Sequence, residues 1–344
     1  MKKIILSASI LALLVSCSSS KNTTNIDPNI DYAKKYAASI TEKDLAKHLF
    51  IYASDEFEGR NTGEPGQKKA AAYLKKFYVD HGIVSPLGGD DYFQEISGDW
   101  LTKNTRRGTL KDSENVVAFI KGAEKPNEIV VISAHLDHVG VKDGKVYNGA
   151  DDDGSGTVAV LEIAEAFQKA VKDGFRPKRS ILFLHVTGEE KGLLGSKYYV
   201  QNPIFPIANT VVNLNIDMVG RIDDRHKDNP NFVYLIGADK LSTELHDLSE
   251  AMNAKYTNIS LDYKYNDESD PNRFYYRSDH YNFAKYNVPI IFYFNGTHED
   301  YHQHTDTPDK INYDLLENRS RLIFHTAWEI ANRENRLVVD KATK

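Results

Sequence analysis

The chain has 344 residues, 41% of them apolar, and carries 43 basic and 49 acidic side chains for a net charge of −6. Such a chain can bury one substantial core or two small ones. The modestly acidic balance, with no clustered stripe of lysine and arginine, argues against nucleic acid as a partner. The single cysteine excludes an internal disulfide, so stability must come from the core.

Residues 1–16 have the pattern of a secretory signal. Two lysines precede an apolar run over residues 4–15, which is too short to span a bilayer. The run ends in LVSC, and this resembles a bacterial lipoprotein processing box, in which cleavage leaves Cys17 as a lipidated first residue. An ordinary signal peptide with an incidental cysteine is the alternative. We expect an exported protein of the bacterial cell envelope (periplasm or outer membrane), with membrane contact only through Cys17.

After a polar tether over residues 17–29, the patterns predict one domain over residues 30–344. Helical patterns cover residues 31–53 and 65–82, the second with Pro65 near its start and Gly82 at its end. Six apolar, β-branched runs of strand length follow: ENVVAFI, EIVVISA, SILFLHV, TVVNLNI, FVYLIG and VPIIFYF.

Further helical patterns fall between these runs, and a long one closes the chain: residues 157–172, 242–254, 279–286 and 313–332. Near-continuous apolar strands separated by helices are typical of a sheet that is covered on both faces. The fold class expected is therefore α/β, a single domain with a mostly parallel, mixed central sheet flanked by helices on both faces.

Four of the strand runs are followed by His, Glu or Asp at their C-terminal ends. EIVVISA runs into HLDHVG, SILFLHV into TGEEKG and TVVNLNI into DMVG, and VPIIFYF is soon followed by NGTHEDYHQHTDT. In open α/β sheets this edge is where ligands bind. Imidazole and carboxylate together suit zinc. The candidate metal ligands are His135, Asp151, Glu190, Asp217 and either His302 or His304.

The stretch NGADDDGSG, residues 148–156, puts three acids in a row between glycines, and their mutual repulsion calls for a cation or a solvated turn. Two ions about 3.5–4 Å apart need one ligand that reaches both, and a carboxylate can do so. Asp151 is the expected bridge. A rival is the spacing D-x-D-x-S-G-x5-E from Asp151 to Glu162, which is close to an EF-hand calcium loop. A strand pattern before it, and a helical pattern around Glu162, disfavour that loop.

Each motif also has a structural alternative. Thr187 and Glu190 form a capping box, S/T-x-x-E, that would start a helix. Asp217 could cap a turn at a strand end, and YHQHTDT could be a polar surface loop. Because the motifs recur in order along one sheet edge, a metal site is favoured over these separate explanations.

The motifs HLDHVG, NGADDDGSG, TGEEKGLLGS, NLNIDMVGR, RSDHYNFAKYNVP and DYHQHTDTPDKI together resemble the successive motifs of the M28 family of zinc peptidases. The resemblance covers residues 40–332. It implies a two-zinc enzyme, and most members are aminopeptidases, including exported bacterial forms. The short segment between YFQEIS and ENVVAF leaves no room for the protease-associated domain that such enzymes often carry.

Matched position by position, the resemblance implies that His135 and Asp217 hold one zinc, that Glu190 and His302 hold the other, and that Asp151 bridges them. His304 stands where the family commonly has proline, and alignment on the preceding tyrosine favours His302 as the ligand.

The resemblance also assigns roles around the ions. Glu189 would be the general base, Asp137 would orient His135, and Tyr301 would donate a hydrogen bond to the transition state. A cis peptide bond is expected after the bridging aspartate, between Asp151 and Asp152. The remaining acids of the stretch, Asp152 and Asp153, are interpreted as shaping the turn, and three further histidines as structural or solvated: His138, His280 and His298.

These roles predict two Zn²⁺ ions per chain and hydrolysis of peptides with a free N-terminus, by a protein expected to be a monomer. Three alternatives remain. A glutaminyl cyclase uses one zinc on the same fold for acyl transfer, but the presence of His135 and Asp217 favours two metals. A hydrolase of N-acyl or dipeptide substrates is the second. A non-catalytic surface-binding lipoprotein is the third, and the intact Glu189 argues against it.

Overall fold

The computed structural model describes residue 27 and residues 29–341. The expected signal segment 1–16, Cys17 and nearly all of the expected tether lie outside the described residues. No helix within the described ranges is both long and apolar enough to cross a membrane.

Ten strands form in the described chain, eight in one sheet and two in a small hairpin. The strands of the large sheet are β1 (Phe93–Ile96), β2 (Ser113–Ile120), β3 (Lys125–His135), β6 (Arg179–Val186), β7 (Thr210–Ile216), β8 (Phe232–Ile236), β9 (Ser260–Asp262) and β10 (Ile290–Phe294). The hairpin is made of β4 (Gly140–Lys142) and β5 (Lys145–Tyr147).

The large sheet is mixed, with the order β1-β2-β6-β3-β7-β10-β8-β9. Its four central strands, β6, β3, β7 and β10, are parallel neighbours. Antiparallel pairing occurs outside them, between β1 and β2, β2 and β6, and β10 and β8. The central strands therefore present their C-terminal ends along one edge, as the sequence predicted.

The helices of the described chain are α1 (Tyr32–Ala37), α2 (Glu42–Tyr52), α3 (Pro65–His81), α4 (Gly98–Asn104), α5 (Gly156–Lys172), α6 (Leu194–Gln201), α7 (Ala238–Leu241), α8 (Thr243–Tyr256), α9 (His280–Ala284) and α10 (Tyr313–Asn332). Several short 3₁₀ turns lie between these elements.

Both faces of the sheet are covered, because alternate side chains of a strand point to opposite faces. On β3, Val130 and Ile132 belong to the larger core, together with apolar side chains of α2, α3, α5, α8 and α10. Their neighbours Ile129 and Val131 belong to a second core with side chains of α6, α7 and α9. The expected single α/β domain with helices on both faces is confirmed.

One predicted helix, over residues 31–53, is divided in the structure. The first part ends at Ala37, and α2 starts at Glu42 after Thr41, whose side chain accepts a hydrogen bond from the backbone N–H of Asp44. Threonine favours this capping position because its hydroxyl satisfies an N–H that has no partner within the helix. Between the two helices, Ile40 is fully buried, so the break is part of the core.

Candidate metal centre

The predicted site residues lie where the four parallel strands end. His135 is the last residue of β3, and Asp217 follows the last residue of β7. Glu189 and Glu190 lie in the turn after β6, and His302 lies in the loop after β10. Because these strands are adjacent in the sheet, segments far apart in sequence meet at one place.

Asp152 lies at the centre of this cluster. Its Oδ1 is 3.1 Å from His135 Nε2, and that nitrogen is 3.6 Å from Asp217 Oδ1. On the other side, Asp152 Oδ2 is 3.0 Å from His302 Nε2, which is 3.1 Å from Glu190 Oε1. The two oxygens of a single carboxylate therefore face two separate groups of donor atoms.

The structure places Asp152, and not the predicted bridge Asp151, at the centre of the cluster. Its Oδ1 accepts hydrogen bonds from the Gly220 N–H, at 2.7 Å, and from the Ser155 hydroxyl, at 3.0 Å. Its Oδ2 is 3.1 Å from His298 Nε2. With both oxygens engaged in this way, Asp151 ties the acidic loop to the segments after β7 and β10, and Asp152 points into the cluster.

Asp153 and Asp306 hold the loop in place. Asp153 accepts hydrogen bonds from three backbone N–H groups: His135, Gly156 and Met218. Asp306 accepts from the N–H groups of Asp151 and Asp152. The peptide bond between Asp152 and Asp153 is cis, one bond later than expected. Asp153 thus shapes the turn as predicted, whereas Asp152 does not have that role.

Gly149 and Gly156 flank the three aspartates, and close contacts leave room for no other residue at either position. A side chain at Gly149 would lie 2.2 Å from the Asp152 carbonyl oxygen and 2.5 Å from the His138 ring, and Gly149 has a positive φ of 51°. A side chain at Gly156 would lie 2.3 Å from Asp153 Oδ1. Only glycine fits where the loop folds this tightly around its own carboxylates.

The structure resolves the choice between the two histidines of YHQH. His302 reaches the cluster from a backbone with a positive φ of 56°, which is uncommon outside glycine. The ring of His304 lies beside Tyr147, with 6.1 Å between the ring centroids. A third histidine, His138, was interpreted as structural, yet its Nδ1 is 3.0 Å from Glu190 Oε1.

Asp137 contributes differently from the expectation. His135 Nδ1 pairs with the backbone carbonyl oxygen of Asp137 at 3.0 Å, and the Asp137 carboxylate is 3.9 Å from that nitrogen. The carboxylate instead accepts hydrogen bonds from the Thr62 hydroxyl, at 2.7 Å, and from the Glu189 N–H, at 3.0 Å. Asp137 therefore orients His135 through its backbone and the Glu189 turn through its side chain.

A cavity of about 270 Å³ opens beside the cluster. Asp152, Glu189, Glu190, Asp217 and His302 line one side of it, together with Tyr301, Arg107 and Arg277. Its other walls are apolar and include Met218, Phe274, Phe292 and Phe294. Tyr301, which the sequence predicted to be at the site, lies at the cavity wall. Its hydroxyl accepts a 3.4 Å hydrogen bond from Arg277.

Electrostatics in the cluster are dominated by its acids. Burial alone would raise the pKa of Asp152, but the adjacent imidazoles of His135 and His302 hold it well below the ordinary value. Burial would lower the pKa of His302, but Asp152 and Glu190 raise it to about 10. Burial raises the pKa of Glu189 well above its ordinary value. His302 is thus a positively charged partner of the acids in this site.

The residues present fit bound cations. His135 Nε2, His138 Nδ1 and Glu190 Oε1 are buried, and no hydrogen-bond partner is found for them in the described chain. Buried polar atoms without partners are rare in native structures and need an explanation. Two sets of donor atoms lie close enough to hold an ion each: His135 with Asp153 and Asp217, and His138 with Asp152 and Glu190. Imidazole nitrogens and carboxylate oxygens are ligands that zinc accepts.

An α/β sheet with paired metal-type ligands at the carboxyl edge of its parallel strands defines a class that includes two-metal hydrolases. The profile of peptidase family M28 matches residues 115–327, which is more than half of the chain. The chain belongs to this family.

Similar proteins agree with this classification. The chain is 27% identical to leupeptin-inactivating enzyme 1 of Streptomyces exfoliatus, over 73% of this chain and 56% of that protein. It spans about half the length, or less, of the curated relatives that it matches.

Solved structures share the fold. The LapA aminopeptidase of Legionella pneumophila is 20% identical with a TM-score of 0.65, covering 97% of this chain and 81% of that one. An aminopeptidase from Aneurinibacillus sp. strain AM-1 is 17% identical with a TM-score of 0.65, covering 90% of this chain and 98% of that one.

Proposed function

We propose that the protein is a two-zinc metallopeptidase that removes N-terminal residues from peptides. The observation that carries the proposal is the position of Asp152, whose two oxygens face His135 and Asp217 on one side and Glu190 and His302 on the other. A carboxylate shared between two sets of donors is what a pair of co-catalytic ions requires.

Glu189 is proposed as the general base. When bound, two zinc ions supply a water of lowered pKa and polarise a carbonyl oxygen. Glu189 lines the cavity beside Asp152 and Asp217, and its backbone is fixed by Asp137. From this place its carboxylate takes a proton during attack on the scissile carbonyl and returns it to the leaving amine. The Tyr301 hydroxyl donates a hydrogen bond to the developing oxyanion.

The cavity walls support a preference for substrates with an apolar first residue. Met218, Phe274, Phe292 and Phe294 form a surface on which an aliphatic or aromatic side chain can be buried. We therefore expect leucyl and phenylalanyl substrates to be cleaved faster than glycyl ones. The His135–Asp217 pair provides a second set of donors, and this favours peptide hydrolysis over the one-zinc cyclase reaction.

The test is hydrolysis of a panel of aminoacyl-p-nitroanilides, with free and with acetylated amines, by the zinc-loaded protein. We expect cleavage that requires a free amine and that a zinc chelator abolishes. Glu189→Gln should lower kcat by roughly 10²–10⁴-fold, the usual contribution of general acid–base catalysis, while zinc content stays unchanged. Glu268→Gln, at a surface glutamate, is the matched control.

Two other outcomes would contradict this proposal. Cleavage of acetylated substrates only would replace the aminopeptidase by a hydrolase of blocked peptides. A silent panel with release of ammonia from N-terminal glutamine would replace it by a cyclase.

We also propose that the protein is exported and lipid-anchored at Cys17. The pattern of residues 1–16 and the LVSC box support this proposal. Mass spectrometry of protein from the envelope should find an acylated cysteine as the first residue, and Cys17→Ser should move the protein to the soluble fraction. A mature N-terminus at another residue, without an acyl group, would contradict the proposal.

A further inference from the structure

His138 differs from the other histidines of the chain that were interpreted as structural. It is fully buried, and neither ring nitrogen has a hydrogen-bond partner among the described residues. His298, by comparison, pairs with Asp151, and His280 Nε2 pairs with the carbonyl oxygen of Tyr275. A buried imidazole without a partner on either nitrogen is costly, so something else must interact with His138.

The His138 Nδ1 atom points at the donors of the second metal position. It lies 3.0 Å from Glu190 Oε1 and 3.8 Å from Asp152 Oδ2. The His138–Glu190 pair lies within hydrogen-bonding distance, but its angles are not those of a hydrogen bond, so both atoms remain without a hydrogen-bond partner. A ring nitrogen and a carboxylate oxygen that approach this closely outside hydrogen-bond geometry are what two ligands of one ion present.

These spacings match tetrahedral zinc. Ligand atoms about 2.0–2.1 Å from a tetrahedral zinc lie roughly 3.3 Å from one another. His302 Nε2 is 3.0 Å from Asp152 Oδ2 and 3.1 Å from Glu190 Oε1. Together with the two His138 distances, all four measured separations lie between 3.0 and 3.8 Å.

The position of His138 is also fixed by its surroundings. The His138 backbone N–H donates a hydrogen bond to the carbonyl oxygen of Arg60, at 3.1 Å. Its ring packs so closely on Gly149 that no side chain could replace the hydrogen there. A ligand fixed by its surroundings loses little entropy on binding.

We propose that His138 is a direct ligand of the second zinc, in addition to Asp152, Glu190 and His302. This inference rests on the proposed two-zinc function and adds to it an asymmetry between the two positions. The second position then has four protein donors, whereas the first has three: His135, Asp152 and Asp217. Closed four-ligand sites hold zinc structurally, and catalytic sites keep an open position.

Because the second zinc has four protein ligands and the first has three, the open coordination position belongs to the first zinc, beside His135 and Asp217. Donors of both positions line the cavity, Asp217 from the first and Glu190 and His302 from the second, but His138 does not. With four protein donors, the second zinc is the more tightly bound ion.

X-ray absorption at the zinc edge tests the proposal without any variant. Protein loaded with two zinc ions should show an average of about 1.5 imidazoles per zinc if His135, His138 and His302 all bind, and about 1.0 if His138 does not. A value of about 1.0 would overturn the proposal.

Two substitutions provide an independent readout. His138→Asn and His138→Ala should weaken the more tightly held zinc by at least about 100-fold in a chelator competition. His304→Asn, at a nearby histidine outside the cluster, is the matched control and should leave both affinities unchanged. Far-ultraviolet circular dichroism checks that each variant is folded.

The failures of the two proposals are distinguishable. If the wild-type protein binds fewer than two zinc ions, the two-zinc function itself fails. If it binds two and the His138 variants hold both as tightly as the wild type, only the role of His138 is overturned. A tenfold or smaller loss with about 1.0 imidazole per zinc would make His138 a residue that positions Glu190, which also overturns the proposal.

Discussion

Three consecutive aspartates in this chain have three different environments. Asp151 bonds to the segments after β7 and β10, Asp152 faces the metal-type donors, and Asp153 accepts three backbone N–H groups. All three are buried. A single sequence shows that acids are needed here, but it does not show which carboxylate points where, because that depends on the path of the loop between two constrained glycines.

The different roles of Asp151 and Asp152 can be tested with matched substitutions. Asp152→Asn should abolish stoichiometric binding of both ions, because an amide is a poor bridging ligand. Asp151→Asn keeps an oxygen for the Gly220 N–H and should retain two zinc ions, with unfolding free energy lowered by about 1–3 kcal/mol. Zinc content after gel filtration, and urea unfolding of each variant, are the measurements. Loss of zinc in Asp151→Asn alone would restore the sequence-based assignment.

At the level of elements, helix α5 carries a buried acid that the site does not use. Glu162 was the last position of the rival calcium loop, and the structure places it inside α5. Its Oε1 is 3.7 Å from His48 Nε2 on α2, and neither oxygen has a hydrogen-bond partner within the described chain. Burial, and then the charges of Glu165 and Asp44, raise the pKa of Glu162 to about 8.

His48 is shifted in the opposite direction. Burial, and then the charge of Lys47, lower the pKa of His48 to about 4. Its Nδ1 pairs with the Tyr73 hydroxyl at 2.6 Å. Near neutral pH, Glu162 and His48 therefore face each other as uncharged groups, although the distance alone would suggest an ion pair. The helix contact is stable as long as Glu162 keeps its proton.

This arrangement predicts how stability depends on pH. The unfolded chain releases the Glu162 proton near pH 4.5 and the folded protein near pH 8, so unfolding becomes easier as pH rises through this window. Glu162→Gln removes the effect. The unfolding free energy of the variant should exceed that of wild type by less than about 1 kcal/mol at pH 5 and by about 4 kcal/mol at pH 8.

Urea unfolding at a series of pH values measures this difference, with equal zinc loading in both proteins. Glu268→Gln, at an exposed glutamate whose charge is not among those that shift the pKa of Glu162, is the matched control and should give a curve parallel to wild type. A constant offset between Glu162→Gln and wild type at all pH values would contradict the prediction.

At the level of the whole molecule, the metal-type donors join four strands and the loops after them. Removing the ions leaves Asp152, Glu190 and Asp217 close together without a cation. Ligands that bind only the folded state stabilise it, by about 4 kcal/mol at a thousandfold excess over Kd. We expect chelation to lower Tm by roughly 10 °C and added zinc to restore it.

Calorimetry with a zinc chelator, then with zinc or magnesium in excess, measures the effect. Magnesium should not restore Tm, because it prefers six oxygen ligands and the site offers imidazoles. An unchanged Tm after verified removal of zinc would show that the folded state is equally stable without ions.

The sequence by itself determined the α/β class, the six main strands and the edge at which the ligands meet. The periodicity of apolar residues and the composition of each segment determine these features. The strand Thr210–Ile216, for example, begins and ends where the sequence pattern predicted. The short elements β1, α4 and α6 were missed, because few residues carry too little periodicity to be recognised. The break between α1 and α2 was missed because a capping threonine inside a helical pattern is a weak signal.

Only the tertiary structure decided the details of the site. It showed that Asp152 rather than Asp151 faces both sets of donors, and that His302 rather than His304 reaches them. It also brought His138 to Glu190. The physical reason is the same in each case: the direction of a side chain in an irregular loop is set by hydrogen bonds and close contacts with distant segments, and sequence periodicity carries no information about these contacts.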